Sequence, residues 1–105
     1  MSELQLTTDF TKQFNVKYPI ICAPMFLVST VKMVVSASQA GGVGTFPALN
    51  YRPMDNYRNA IQDVKNQTGN PFGINIIVQK SNKYQYEQID IALDEKVPLL
   101  ITSLG

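Results

Sequence analysis

An α/β fold with parallel strands in the order βαβαβαβ is predicted for these 105 residues, on three observations. Four short apolar runs carry no polar alternation, the pattern of strands covered on both faces. The stretches between them repeat apolar residues at helical spacing. Gly, Pro and Asn punctuate the boundaries where helices end and strands begin. Alternation of this kind calls for right-handed crossovers and a parallel sheet.

The elements follow in order. Residues 1–15 precede the first strand and are expected to form a short helix or a cover across the bottom of the sheet. Residues 20–22 (Ile20, Ile21 and Cys22) form the first strand, which Pro24 stops by removing a donor and barring Ala23 from helical geometry. Ser29 is the expected cap of a helix with Val31, Val34, Val35 and residues 37–40 on its apolar face. Gly41 and Gly42 end that helix, and residues 43–46 form the second strand. Pro53 suits the first turn of a second helix, in which Met54, Tyr57, Ile61 and Val64 recur before Thr68-Gly69-Asn70-Pro71 breaks it. Residues 72–78 are the third strand. Asn82 is the expected cap of a third helix with Tyr86, Ile89, Leu93 and Val97 as its buried stripe, and Pro98 precedes a fourth strand at residues 99–102.

Composition narrows the function. With 45% hydrophobic and 16% charged residues the chain is globular, and a net charge of +1 without a basic cluster gives no reason to invoke nucleic acid or an anionic membrane. The early Glu3 and the lack of an apolar core argue against a signal peptide, and no apolar run reaches the ~18 residues of a membrane span. The expectation is a cytoplasmic protein. One Cys and no His make a disulfide framework or a zinc site improbable, so no metal is expected. Gly41-Gly42-Val43-Gly44 is not a dinucleotide fingerprint, because it follows a helix and opens a strand, the reverse of the required order. Its expected job is a helix cap plus close helix–sheet packing.

Four segments in this order, PIICAPM (19–25), VSTVKMVVSASQAGGVGT (28–45), PFGINIIV (71–78) and VPLLITSLG (97–105), resemble the amino-terminal part of the nitronate monooxygenase family, formerly 2-nitropropane dioxygenases, and of the related flavin-type bacterial enoyl reductases. The resemblance runs from Phe14 onward. It implies the amino-terminal portion, about four strands, of a parallel (β/α)8 TIM barrel. A complete barrel takes about 250 residues, so residues 1–105 are expected to be an incomplete flavin-binding domain, a piece of a longer polypeptide. It further implies FMN as cofactor and oxidation of an alkyl nitronate with O₂ in the full-length parent. The alternatives are a flavin-type enoyl reductase acting on acyl-carrier-protein substrates, and a non-catalytic half-barrel. By itself the chain is expected to be inactive, to hold FMN poorly and to self-associate through open strand edges.

The resemblance also implies the site residues. Ala23, Pro24 and Met25, in the turn that ends the first strand, would line the flavin ring, with backbone groups near its pyrimidine end. Asn75, an amide inside an apolar strand, needs a partner on physical grounds alone, since burying it unpaired costs free energy; in the family that partner is the flavin. Thr45 and Phe46 lie at the ligand end of the second strand, although Phe46-Pro47-Ala48 departs from the family's Gly- and Ala-rich continuation. Ser103 falls where relatives turn a polar group toward the flavin, and Gly105 resembles the Gly that closes that motif. Cys22 stands where many relatives carry Gln, and its residue-level reading is a small apolar strand residue. Tyr51, Tyr57, Tyr84 and Tyr86 read as packing residues. Relatives take their proton-handling His from a later strand, and this chain has none, so no catalytic residue is assigned.

Overall fold

Runs rich in Val, Ile and Phe, bounded by Gly and Pro, become strands when helices cover them, and the computed structural model shows that arrangement for the residues it describes, 7–104. The order is α1 (Asp9–Phe14), β1 (Ile21–Cys22), α2 (Val31–Gln39), β2 (Val43–Pro47), a 3₁₀ turn (Ala48–Asn50), α3 (Met54–Gln67), β3 (Phe72–Ile77), α4 (Gln85–Asp94) and β4 (Leu99–Ser103). The four strands form one parallel sheet in sequence order, β1-β2-β3-β4. The expected βαβαβαβ core is therefore observed, preceded by a short helix. Of the expected cover over residues 1–15, α1 is described, with Thr8 and Thr11 in a reciprocal capping box, while residues 1–6 lie outside the described residues.

The register sets two faces. Phe46 pairs with Ile74 and Gly44 with Phe72, and Leu100 pairs with Ile74 from the other side. Because strand side chains alternate, Phe46, Phe72, Ile74 and Ile76 all point toward the helices, where they pack with Val34, Val35, Tyr57, Ala60, Ile61, Val64 and Ala92. Thr45, Gly73, Asn75, Ile77, Leu99, Ile101 and Ser103 occupy the opposite face.

The AGGVG segment does the two jobs expected of it. Gly41, at φ 105°, closes α2 in the left-handed region: its N–H donates to the Ser38 C=O at 3.2 Å, and the Gly42 N–H donates to the Ala37 C=O at 3.3 Å. Gly44 then lets α2 lie directly on β2. A Cβ at Gly44 would come within 2.8 Å of the Val34 Cα and closer still to the Val34 carbonyl oxygen. The buried Ser38 Oγ accepts from the Gly44 N–H at 3.1 Å, fixing the same contact with a polar bond.

Two details of the helices differ from expectation. Thr30, not Ser29, caps α2, accepting from the Met33 N–H at 3.2 Å, because Ser29 is buried and engaged with the preceding turn. In α4, Tyr86 and Leu93 are 74% and 64% exposed, and Gln88 and Ala92 are the buried pair. The helix starts at Gln85 rather than beside Asn82. The Asn82 side chain instead accepts from the Tyr84 N–H at 3.1 Å and donates to the Ile77 C=O at 2.8 Å and to Gln88 Oε1 at 3.0 Å. Those bonds draw Gln88 inward and turn Tyr86, on the opposite side of the helix, to solvent. From α3 the buried Tyr57 hydroxyl donates to the Gln88 C=O at 2.8 Å, and burial raises the Tyr57 phenol well above its ordinary pKa, so it stays protonated. Outside that contact Arg58 pairs with Asp94 at 2.8 Å, and Gln62 donates to Glu95 at 2.8 Å.

Gly44→Ala is expected to destabilise the fold by about 2–3 kcal/mol, since the obstructing atoms are backbone. Gly69→Ala, where an added Cβ meets nothing within 4 Å, should stay within about 0.5 kcal/mol of the parent. Urea unfolding of both variants checks the contrast; equal midpoints would show that α2 does not rest on β2 at Gly44.

Candidate functional site

In a parallel α/β sheet the C-terminal ends of the strands and the loops that follow them are where ligands bind. Of the six residues expected at a site, Ala23, Pro24 and Met25 lie in the loop directly after β1, and Thr45, Asn75 and Ser103 lie on β2, β3 and β4, sharing the face opposite the helices.

Asn75 is the polar centre of that face. Its Nδ2 donates to the Ile101 C=O at 2.9 Å and to Ser103 Oγ at 3.1 Å, so the amide bridges β3 to β4 across one rung and up to the next. The partner that an amide in an apolar strand requires is thus supplied in half by the protein itself. No described residue donates to Asn75 Oδ1, and the Ser103 hydroxyl hydrogen goes to no described acceptor. An acceptor and a donor are left side by side on the free face.

Thr45 is 1% exposed and donates its hydroxyl hydrogen to the Cys22 C=O, tying the end of the two-residue β1 to β2. Gly73, next to it in register, is tightly covered: a Cβ there would meet Thr45 Cγ2 and Leu99 Cδ2 at 3.0 Å. The side chains of Thr45 and Leu99 thus close over Gly73, one rung below Asn75 on the same face.

The turn after β1 is held from within. The Met25 N–H donates to Ser29 Oγ at 2.8 Å, and Met25 C=O accepts from the Ser29 N–H at 2.9 Å and the Val28 N–H at 3.1 Å. Ser29 Oγ also donates to the Ala23 C=O at 3.4 Å. The backbone groups expected to reach a ring are therefore largely engaged; the Pro24 C=O and the half-exposed Met25 side chain remain available. Asn50, from the 3₁₀ turn after β2, reaches across to this loop, accepting from the Leu27 N–H at 2.8 Å and donating to the Ser29 C=O at 2.9 Å.

Sequence reasoning passed over Ser29 and Asn50 in these roles. The available signal was the Ser29-Thr30 pair, in which one hydroxyl suffices as a cap and the other is free for a second job. It also passed over a cavity of about 380 Å³ between the loops after β2 and β3, lined by Arg52, Gln79, Ser81, Asn82, Lys83 and Tyr84 among others. Arg52 and Lys83 bring two positive charges to it, neither is paired with a carboxylate among the described residues, and no acidic residue lines it. Gly105 lies outside the described residues.

A parallel α/β sheet with helices on one face and polar groups gathered at the strand ends on the other is the architecture of barrel enzymes that bind ligands at the strand termini. The model of the nitronate monooxygenase family matches residues 7–102, and the chain belongs to that family. It is 35% identical over 82 residues to a probable nitronate monooxygenase of Staphylococcus haemolyticus, an alignment covering 78% of this chain and 23% of that protein. A probable nitronate monooxygenase of Staphylococcus aureus is 36% identical over 80 residues, covering 76% and 22%. Among solved structures, FabK from Thermotoga maritima superposes with a TM-score of 0.86 at 27% identity, covering 96% of this chain and 32% of that one. Nitroalkane oxidase from Streptomyces ansochromogenes shares the fold, with a TM-score of 0.73 at 24% identity, covering 93% and 36%. The chain thus has the fold of a portion of these TIM barrels and spans under a quarter of the length of the curated relatives it matches.

Because Asn75 Nδ2 and Ser103 Oγ share one bond, Asn75→Ala and Ser103→Ala are expected to couple by about 0.5–1.5 kcal/mol in a double-mutant cycle of unfolding free energies. Strict additivity would mean that the bridge between β3 and β4 contributes nothing to the fold.

Proposed function

We propose that the protein is an FMN-dependent oxidoreductase of the nitronate monooxygenase type, oxidising alkyl nitronates with O₂, and that the described residues form part of its flavin site. The observation that supports it is the pairing of family membership with a free acceptor and donor, Asn75 Oδ1 and the Ser103 hydroxyl, at the strand ends. These groups fit a flavin. The pyrimidine edge of the ring carries an N–H and carbonyl oxygens, which call for an acceptor and a donor side by side.

When bound, FMN supplies the electron transfer between nitronate and O₂. The chain's own residues do the rest. The bridge from β4 fixes the Asn75 amide, so its Oδ1 is presented without further ordering cost. The Ala23, Pro24 and Met25 turn carries a half-exposed, polarizable thioether in the loop directly after β1. Exposed Phe26, Leu27 and Val28 give the mouth an apolar rim that lowers water access. Arg52 and Lys83 raise the local concentration of an anionic substrate, and a nitronate is an anion.

Oxygen uptake by the flavin-loaded full-length protein with an alkyl nitronate such as propyl-2-nitronate should be fast, and reduction by NADH or NADPH slow. Rapid pyridine-nucleotide reduction coupled to an enoyl thioester would assign the protein to the enoyl reductases instead.

A further inference from the structure

We propose that Asn50 is a positioning residue for the turn after β1, locking it in the shape that the cofactor meets; the proposal rests on the flavoenzyme reading above. The loop has little burial of its own to hold it, since the side chains of Met25, Phe26, Leu27 and Val28 are 40–70% exposed. Leu27 also sits at φ 63°, in the left-handed region that a residue with a Cβ adopts only when its surroundings impose it. Local bonding through Ser29 fixes Ala23 and Met25, but Leu27 is held from elsewhere.

Asn50 supplies that hold and uses both ends of its amide. Oδ1 accepts from the Leu27 N–H at 2.8 Å, and Nδ2 donates to the Ser29 C=O at 2.9 Å. The first bond caps the strained residue. The second presses on Ser29, which is 1% exposed and already bonded to Met25 and Ala23. Asn50 is itself anchored: it ends the 3₁₀ turn that continues β2, between the fully buried Ala48 and Tyr51, whose ring meets Phe46 edge-on at 5.4 Å. The shape of the loop after β1 is thereby set by the end of β2. No aliphatic or charged side chain offers both an acceptor and a donor in this span.

The test combines amide hydrogen exchange on the apoprotein with FMN titration. Asn50→Ala should speed exchange at Leu27 and Met25 and raise the FMN dissociation constant, each by about tenfold, while the Val43 and Ile74 amides keep their protection, showing that the core is intact. Asn50→Asp retains the acceptor and loses the donor, so Leu27 should stay protected and the loss of FMN affinity should be smaller. Unchanged Leu27 exchange in Asn50→Ala would overturn the clamp. Faster exchange with unchanged FMN affinity would overturn the positioning role while leaving the clamp. A full-length wild-type protein that binds no FMN would overturn the functional reading beneath both.

Discussion

Helix α2 rests on β2 at Gly44 with backbone against backbone, and the placement of the site follows from that contact. With no side chain between them, Val34 and the Ser38 hydroxyl come down onto the strand, and Phe46, Phe72, Ile74 and Ile76 are committed to that side of the sheet. Strand periodicity does the rest. Once Phe46, Ile74 and Ile76 face the helices, Thr45, Asn75 and Ser103 must face away from them, because their register positions leave no other choice. One buried glycine therefore helps decide which face is apolar core and which carries Thr45, Asn75 and Ser103.

On the free face the polar groups are ordered by the protein before any ligand arrives. Asn75 is stapled to β4 through Nδ2, Thr45 to the end of β1, and the β1 loop to the turn after β2 through Asn50. Each bond joins neighbouring strands or the loops that follow them, so the strand ends are tied to one another. What is left unengaged, Asn75 Oδ1 and the Ser103 hydroxyl, is presented at little entropic cost.

Most of the fold was legible in the sequence because it rests on local signals: four apolar runs, a Pro that stops β1, a Gly pair that closes α2, and Met54, Tyr57, Ile61 and Val64 at helical spacing in α3. The failures occurred where a side chain answers to distant partners. Tyr86 and Leu93 look like a buried stripe, but Asn82 and the Tyr57 hydroxyl pull Gln88 inward and rotate α4 away from them. Ser29 looks like a cap, yet its hydroxyl serves the turn behind it. At the site, Asn75 announced itself as an amide out of place among apolar neighbours. That half of its demand is met by Ile101 and Ser103 depends on strand register, which no local pattern encodes.

The central claim is that the face opposite the helices holds a flavin through the free side of Asn75. FMN titration of the full-length wild-type protein beside its Asn75→Ala and Asn66→Ala variants tests it most directly, Asn66 being an exposed residue of α3. The expected result is a dissociation constant raised about tenfold in Asn75→Ala and unchanged in Asn66→Ala. Equal FMN affinity in the two variants would contradict it and remove Asn75 from the site.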